Sequence, residues 1–548
     1  MWRKNLLPAL LLLIATACTH QNFDTIIQNG TIYNGTGDAP FTADIGMRAD
    51  TIAAIGDLSS SDAPVIIDAE ELAVSPGFIN MLSWANYSLL NDGRSMSDIK
   101  QGVTLEIFGE GSSMGPLNEE MHQNNERPWT TLGEYLEHLT KEQGISTNVA
   151  SFVGATTIRQ HVIGSQNVSP TAAELRQMQQ LVREAMEEGA LGVGSSLIYA
   201  PAFFASTEEL IALAEAAAEY DGTYISHIRS EGDDLLKATD ELFTIATEAG
   251  IDAQIYHLKA AGKRNWDKLP VVLTKIDSLR SSGHNISANM YTYTAASTGL
   301  DATIPPTVQE GSYQDFITRL KQPEIREQVL ASMRSSQTDW ENFYQLAGAP
   351  ENILLVGFNE DSLKHFTGKN LAEISEIRNT DPAETIIDLI IENNGDISSV
   401  FFVMSEENVR TKIKVPYMSF GSDARSVAAE GEVLESSTHP RTYGTFARLL
   451  GKYVRDENVI SLEEAIYRLT GLPAKNLKLQ KRGYLSEGYF GDIVIFDPAT
   501  IEDKATFTQP HQYAVGVHHV FVNGVQVLKD GEHTGAMPGQ VVRGPGWK

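Results

Sequence analysis

The sequence predicts an α/β fold, in which a (β/α)8 barrel of the TIM type carries a small β-sandwich domain formed by both chain ends. Three observations support this. The length of 548 residues accommodates one large barrel with a small second domain. The middle of the chain alternates short apolar strands with helical segments. Both ends contain short strands separated by turn residues.

The alternating middle is the strongest of the three. Its strands are short and apolar, and lie at residues 191–195, 222–227, 253–257 and 286–290. Helical patterns separate them, at 171–188, 207–218 and 233–249. Strands that alternate with helices form a parallel sheet, and this many repeats favours a closed barrel.

The two ends lack this alternation. Asn29-Gly30 is a turn signal between predicted strands at 23–28 and 30–33, and Asn523-Gly524 predicts a hairpin before a strand at 525–528. We therefore assign 22–74 and 481–548 to the β-sandwich and 75–480 to the barrel. A polar helical stretch near 312–357 predicts an insertion, which could cover the barrel mouth.

The first 18 residues have the pattern of an export signal. Arg3 and Lys4 precede a short apolar run, and small residues lead to Cys18. The run is too short to span the roughly 30 Å of a bilayer core. The pattern resembles a bacterial lipoprotein signal with Cys18 as the lipidated residue; ordinary signal cleavage is the alternative.

Composition narrows the classes of function. The formal net charge of −29 disfavours nucleic acids and anionic membranes as partners. Cys18 is the only cysteine, which excludes disulfides, a CxxC motif and a cysteine nucleophile in the mature protein. A membrane is expected to be contacted only through the lipid anchor, in a periplasmic or envelope location.

Three side chains at strand ends are candidates for chemistry, because barrel enzymes place their sites at the C-terminal ends of strands. His227 and His257 end successive strands, and imidazole suits zinc. Asp423 ends another apolar strand, as a general base or metal ligand would; a helix cap is the alternative. Lys259 follows His257 at a spacing of two, and Arg441 is a candidate for binding a carboxylate.

Several motifs in order carry a resemblance to a known family. They are FDTIIQNGTIYNGTGDAP, VSPGFIN, SHIRSEGDD, YHLKAAGKRN, SFGSDA, HPRTYGTFARLLGKYVR and FGDIVIFDP. With these motifs the chain resembles the N-acyl-D-amino-acid deacylase (D-aminoacylase) group of the amidohydrolase superfamily over nearly its whole mature length.

The resemblance implies zinc-dependent hydrolysis of the amide bond of a small-molecule N-acyl-D-amino acid. It also implies roles for individual residues. His227 and His257 match the two zinc-binding histidines, and Asp423 matches the catalytic aspartate. The positions placed around the substrate carboxylate or carbonyl are Lys259, Tyr291, Ser297 and Arg441.

Two departures from the family pattern concern the metal. Leu82 and Trp84 stand where the family has an HxH pair, and we expect them to pack the barrel floor. A metal-ligating cysteine is also missing: Gly111 occupies its aligned position, beside Glu110. We expect Glu110, rather than the mid-strand Glu106, to be the third ligand of a single zinc ion.

Two other functions remain open at this point. The same site could serve a related amidohydrolase that cleaves dipeptides or cyclic amides. The departures also fit a non-catalytic binding lipoprotein, although the presence of His227, His257 and Asp423 argues against it. The oligomeric state is not predicted.

Overall fold

The computed structural model describes residues 22–123 and 127–548. The predicted signal segment at 1–18, with Cys18, lies outside the described residues. Among the helices that are described, none has both the length and the apolar character that crossing a membrane requires.

Eight parallel strands form a closed barrel, as predicted. Backbone pairing links each strand to the next, and Met81 N donates to the Phe420 carbonyl at 3.1 Å to close the ring. The strands are Phe78–Asn80, Val103–Phe108, Asn148–Ser151 continued by Val153–Gly154, Gly192–Ser196, Thr223–His227, Asp252–Ile255, Ile286–Met290 and Met418–Phe420.

Helices surround this barrel. They are Ala85–Ser88, Met96–Ile99, Glu119–Gln123, Leu132–Glu137, Ala155–Ile163, Ala172–Glu187, Thr207–Ala218, Leu235–Ala249, Leu269–Ser281, Glu406–Ile413, Arg441–Arg448, Leu462–Leu469 and Gly471–Asn476. Alternate strand residues face opposite sides. Phe78 and Tyr224 belong to the large core shared with the helices, whereas Ile79 and Ile225 belong to a separate core cluster.

The insertion is larger than the predicted 312–357. Its helices are Tyr313–Leu320, Pro323–Arg334, Phe343–Ala347, Leu371–Arg378 and Pro382–Asn393. A three-stranded antiparallel sheet of Ala296–Gly299, Ile353–Gly357 and Ser398–Phe401 joins them. The parts of the insertion before residue 312 and after residue 357 were missed. Their short strands gain stability from pairing partners that are distant in sequence, which the local pattern does not reveal.

Both chain ends contribute to one nine-stranded sheet. Its strands are Thr25–Ile32, Phe41–Arg48, Thr51–Gly56, Val65–Asp68, Ala73–Pro76, Ile493–Phe496, Val517–Val522, Val525–Lys529 and Glu532–His533. Ile493–Phe496 pairs antiparallel with Ala73–Pro76 and so joins the two ends. The predicted small β domain is therefore present.

The two turn predictions in this domain had different outcomes. Asn523-Gly524 forms the predicted hairpin, with the positive φ values of 49° and 76° that a two-residue turn requires. Asn29-Gly30 does not form a turn. Asn29 has a φ of 61° within a bulge of the continuous strand Thr25–Ile32, where its side chain donates to Asp68.

Candidate active site

Four barrel strands deliver the candidate site residues to one end of the barrel. Glu110 lies two residues past the second strand, His227 ends the fifth strand, and His257 lies two residues past the sixth. Asp423 lies three residues past the eighth strand. The C-terminal ends of parallel strands share one edge, which explains why residues so distant in sequence meet here.

Glu110, His227 and His257 form a compact buried cluster. Glu110 Oε1 lies 3.1 Å from His227 Nδ1 and 2.8 Å from His257 Nε2. One potential ligand atom from each residue lies within 4.8 Å of the others. Two imidazoles and a carboxylate are a donor set that suits zinc, and three protein ligands leave a position for water. The residues present therefore fit such an ion.

The backbone explains why Glu110, rather than its neighbour, supplies the carboxylate. A Cβ atom on Gly111 would lie 2.6 Å from Cβ of Ser196, and Gly111 has a φ of 72°. Only glycine tolerates both conditions. No side chain fits at the position aligned with the family's cysteine, whereas the Glu110 side chain reaches both histidines.

Glu231, which sequence reasoning missed, lies against the other edges of the two imidazole rings. Its Oε1 is 3.0 Å from His257 Nδ1 and 2.6 Å from Lys259 Nζ, and its Oε2 is 3.5 Å from His227 Nε2. Carboxylates in this position orient metal-binding histidines. The one sequence signal was a carboxylate four residues after a strand-end histidine, within SHIRSEGDD.

The opposite charges in this cluster stabilise one another's ionised forms. Burial alone would raise the pKa of Glu110 and of Glu231, but their cationic neighbours outweigh burial and lower both values. Burial and Lys259 act to lower the pKa of His257, yet the two carboxylates outweigh them and raise it to about 9. Each carboxylate in the cluster is thus held ionised, as a metal ligand or its hydrogen-bonding partner must be.

Asp423 is fixed through both carboxylate oxygens. Its Oδ2 lies 2.6 Å from Arg441 Nη1, and its Oδ1 accepts a hydrogen bond of 3.1 Å from Trp84 Nε1. Burial raises its pKa, against the opposing charge of Arg441. A carboxyl group with a raised pKa is suited to accept and return a proton.

Trp84 corrects one sequence expectation. Leu82 is buried in the core, but Trp84 is only partly buried and lines the cavity beside Asp423 rather than packing the barrel floor. The expectation treated Leu82 and Trp84 alike as apolar residues, but the indole of tryptophan also carries a polar N–H group.

The four residues predicted to surround the substrate also line this cavity, which has a volume of about 680 Å³. Arg441 Cζ lies 4.6 Å from the centre of the Tyr291 ring, and within residues 22–123 and 127–548 the buried Tyr291 hydroxyl has no hydrogen-bond partner. Lys259 is bonded to Glu231, and the Ser297 hydroxyl donates to the Ser399 carbonyl at 2.9 Å. Among the described residues, Arg441 Nε and Nη1 have no hydrogen-bond partner although the guanidinium pairs with Asp423, so Tyr291 and Arg441 are the best placed of the four to contact a substrate.

His439 supports Arg441 rather than facing the cavity with a free nitrogen. Its Nδ1 accepts from Arg441 N at 2.9 Å, and its Nε2 contacts the Ala295 carbonyl at 3.0 Å. Burial, followed by the charge of Arg441, holds the pKa of His439 well below its usual value. A neutral ring with a proton on Nε2 satisfies both contacts.

The barrel, the strand-end histidines and the buried aspartate define the class of protein as an amidohydrolase. A model described as "Amidohydrolase family" matches residues 418–528. D-aminoacylase of Alcaligenes xylosoxydans xylosoxydans is 32% identical over 534 residues, which cover 95% of this chain and 98% of that protein. The chain therefore belongs to the D-aminoacylase family, as the sequence motifs predicted.

Solved structures agree with this assignment. The crystal structure of a D-aminoacylase matches with a TM-score of 0.78 and 30% identity, and covers 95% of this chain and 100% of that one. An N-acyl-D-glutamate deacylase from Bordetella bronchiseptica, complexed with zinc and a phosphonate inhibitor, matches with a TM-score of 0.78 and 28% identity over the same shares.

Proposed function

We propose that this protein hydrolyses the amide bond of N-acyl-D-amino acids. The observation that carries the proposal is one cavity in which Glu110, His227 and His257 converge beside the Asp423–Arg441 pair. This arrangement combines a candidate metal site with a proton acceptor and a group that can bind a carboxylate.

Glu110, His227 and His257 would hold one zinc ion. Bound there, zinc would lower the pKa of a water molecule towards about 7 and polarise the scissile carbonyl. One ion is proposed rather than two, because Leu82 and Trp84 supply no ligand atoms. Within residues 22–123 and 127–548, this is the one group of three potential ligands found.

Asp423 would act as the general base and then as the general acid. Its carboxylate takes a proton from the attacking water and returns that proton to the leaving amine. Burial favours the neutral form of the carboxyl group and Arg441 favours the charged form, and the net effect raises its pKa. The same group can therefore serve both steps.

Arg441 and Tyr291 would bind the carboxylate of the substrate. The guanidinium lies against the Tyr291 ring, and the Tyr291 hydroxyl, which has no hydrogen-bond partner in the described part of the chain, is a potential donor beside it. Together they offer charge-assisted hydrogen bonds to one carboxylate. Lys259 contributes positive charge at the same wall of the cavity, while its ammonium group stays bonded to Glu231.

We also propose that the protein is exported and anchored at a bacterial envelope through a lipidated Cys18. Support comes from the sequence: a basic start, a short apolar run and small residues directly before Cys18. In this location the acidic surface keeps the catalytic domain away from anionic headgroups.

The proposed activity is tested by measuring turnover of N-acetyl-D-amino acids, N-acetyl-L-amino acids, dipeptides and a cyclic amide, with zinc content measured in the same preparation. We expect hydrolysis of the D-compounds with about one zinc per chain. If the zinc-loaded protein prefers dipeptides or the cyclic amide, those compounds, and not N-acyl-D-amino acids, are its substrate class. Protein with neither zinc nor turnover would be a binding protein.

A further inference from the structure

Asp423 has a backbone conformation that side-chain-bearing residues rarely adopt. Its φ of 51° lies in the left-handed region, and it is not at a helix end. Such a conformation is less favourable than the usual backbone regions and persists where neighbouring contacts hold it. The contacts that hold Asp423 are therefore part of what builds the site.

The segment Leu82-Ser83-Trp84 supplies these contacts through its backbone. Asp423 N donates to the Leu82 carbonyl at 2.8 Å, and Trp84 N donates to the Ala424 carbonyl at 2.9 Å. The two bonds bracket the peptide that joins Asp423 to Ala424. They lie where the first and last strands of the barrel meet. The same set of backbone hydrogen bonds therefore closes the barrel and positions Asp423.

The Trp84 side chain then reaches the Asp423 carboxylate. Its Nε1–H donates to Oδ1 at 3.1 Å, while Arg441 lies against Oδ2. With a hydrogen bond at one oxygen and an ion pair at the other, rotation of the carboxylate about its Cβ–Cγ bond is opposed from both sides. Each oxygen still has a free lone pair, so the group can accept a proton.

We infer that Trp84 is a positioning residue, whose indole N–H sets the orientation of the Asp423 carboxylate for proton transfer. This inference rests on the proposed function, because it assigns Trp84 a part in that reaction. Trp84 is not itself a catalytic residue: indole neither gives up nor accepts a proton at neutral pH, and it acts through Asp423.

Trp84→Phe keeps an aromatic ring but removes the N–H. We expect kcat to fall about 10- to 100-fold, because this is the size of effect that the loss of one hydrogen bond to a charged group produces. KM and the zinc content should change little, because the substrate carboxylate and the proposed metal ligands contact other residues. A loss of substrate affinity at unchanged kcat would show that Trp84 acts only as a cavity wall.

Trp266→Phe is the matched control. Trp266 is also partly buried, and its Nε1 donates to the Val403 carbonyl at 2.9 Å, outside the cavity. Its replacement removes an equivalent hydrogen bond and should leave kcat unchanged. An equal fall in kcat in both variants would overturn the inference.

A measurement independent of turnover separates this inference from the proposed function. The melting temperatures of Trp84→Phe, Asp423→Ala and the double variant form a cycle that reports whether the two side chains interact, because alanine leaves no acceptor for the indole N–H. We expect the shifts of the single variants not to add. Additive shifts would overturn the inference even if kcat falls. If the wild-type protein hydrolyses none of the tested amides, the proposed function and the catalytic role of Trp84 fail together, and non-additive shifts would then show only a structural contact.

Discussion

Glu231 Oε1 lies 3.0 Å from His257 Nδ1, at the ring edge opposite the nitrogen that faces Glu110. A carboxylate there orients the imidazole ring so that Nε2 faces Glu110. The same oxygen also binds Lys259 Nζ at 2.6 Å. Glu231 thus connects one proposed ligand with the charged wall of the cavity.

Glu231→Gln should weaken zinc binding by about 10- to 100-fold, the usual effect of removing such a partner. The glutamine amide is neutral, so it lacks the negative charge with which the Glu231 carboxylate binds His257 and Lys259. Zinc affinity is measured by competition with a chelator. Asp233→Asn is the control, because Asp233 is a more exposed carboxylate two residues away that pairs with Arg264. Equal zinc affinity in Glu231→Gln and the wild-type protein would show that Glu231 does not orient the ligands.

Glu110→Ala tests the third proposed ligand. The purified wild-type protein should contain about one zinc per chain by elemental analysis, and the variant should lose most of it together with activity. Glu106→Ala is the comparison: Glu106 is fully buried and accepts hydrogen bonds from Ser83 and Thr147, away from the two histidines. It should retain zinc in the folded fraction. Two tightly bound metals per chain, or full zinc retention in Glu110→Ala, would contradict this assignment.

The sequence predicted the parts of this site that depend on short patterns. His227, His257 and Asp423 each follow an apolar strand, and the regular geometry of a barrel places such positions at one end. Trp84 and Glu231 were not predicted in their roles, because those roles arise from contacts across 339 residues in the first case and with two separate strands in the second. The width of the insertion was missed for a similar reason.

Asp423→Asn should abolish most turnover, by about 100-fold or more, because an amide cannot accept a proton at neutral pH. Zinc content and the fold should be retained, since Asp423 is not among the proposed ligands. Steady-state kinetics, elemental analysis and a thermal melt test these points. Asp503→Asn is the control, because Asp503 forms a similar pair with Arg448 at 2.9 Å outside the cavity. Near-wild-type turnover in Asp423→Asn would exclude it as the base.

Cys18→Ser tests the proposed anchor. Replacing the thiol removes the only group in the chain that could carry a thioether-linked lipid. The variant should be released from the envelope fraction or accumulate as an unprocessed precursor, as judged by fractionation and by mass. Processing and membrane association identical to those of the wild-type protein would rule out lipidation at this residue.

We expect Glu341, a buried residue of the insertion, to make the stability of the protein depend on pH. It is buried, and it accepts from the Ser230 hydroxyl at 2.6 Å and from Glu231 N at 2.9 Å. Burial raises its pKa to about 7 against the opposing Ser230 bond, and the negative charges of Glu231 and Asp233 add to the rise. Arg264 is the cation whose charge interacts with this carboxylate.

The raised pKa fixes the sign of the effect. Because the folded state binds this proton more tightly than the unfolded chain, the resulting stabilisation is complete below about pH 4.5 and is lost as the pH rises through about 7. The shift corresponds to a loss of about 3 kcal/mol of unfolding free energy across that window. Glu341→Gln does not titrate, so its stability relative to the wild-type protein should increase by about this amount between pH 4.5 and 8.

Denaturant unfolding at several pH values measures this difference in stability. Glu327→Gln is the control, because Glu327 is an exposed residue of the same insertion, and its stability relative to the wild-type protein should not change with pH. A constant difference between Glu341→Gln and the wild-type protein over this range would show that Glu341 does not take up a proton in the folded state.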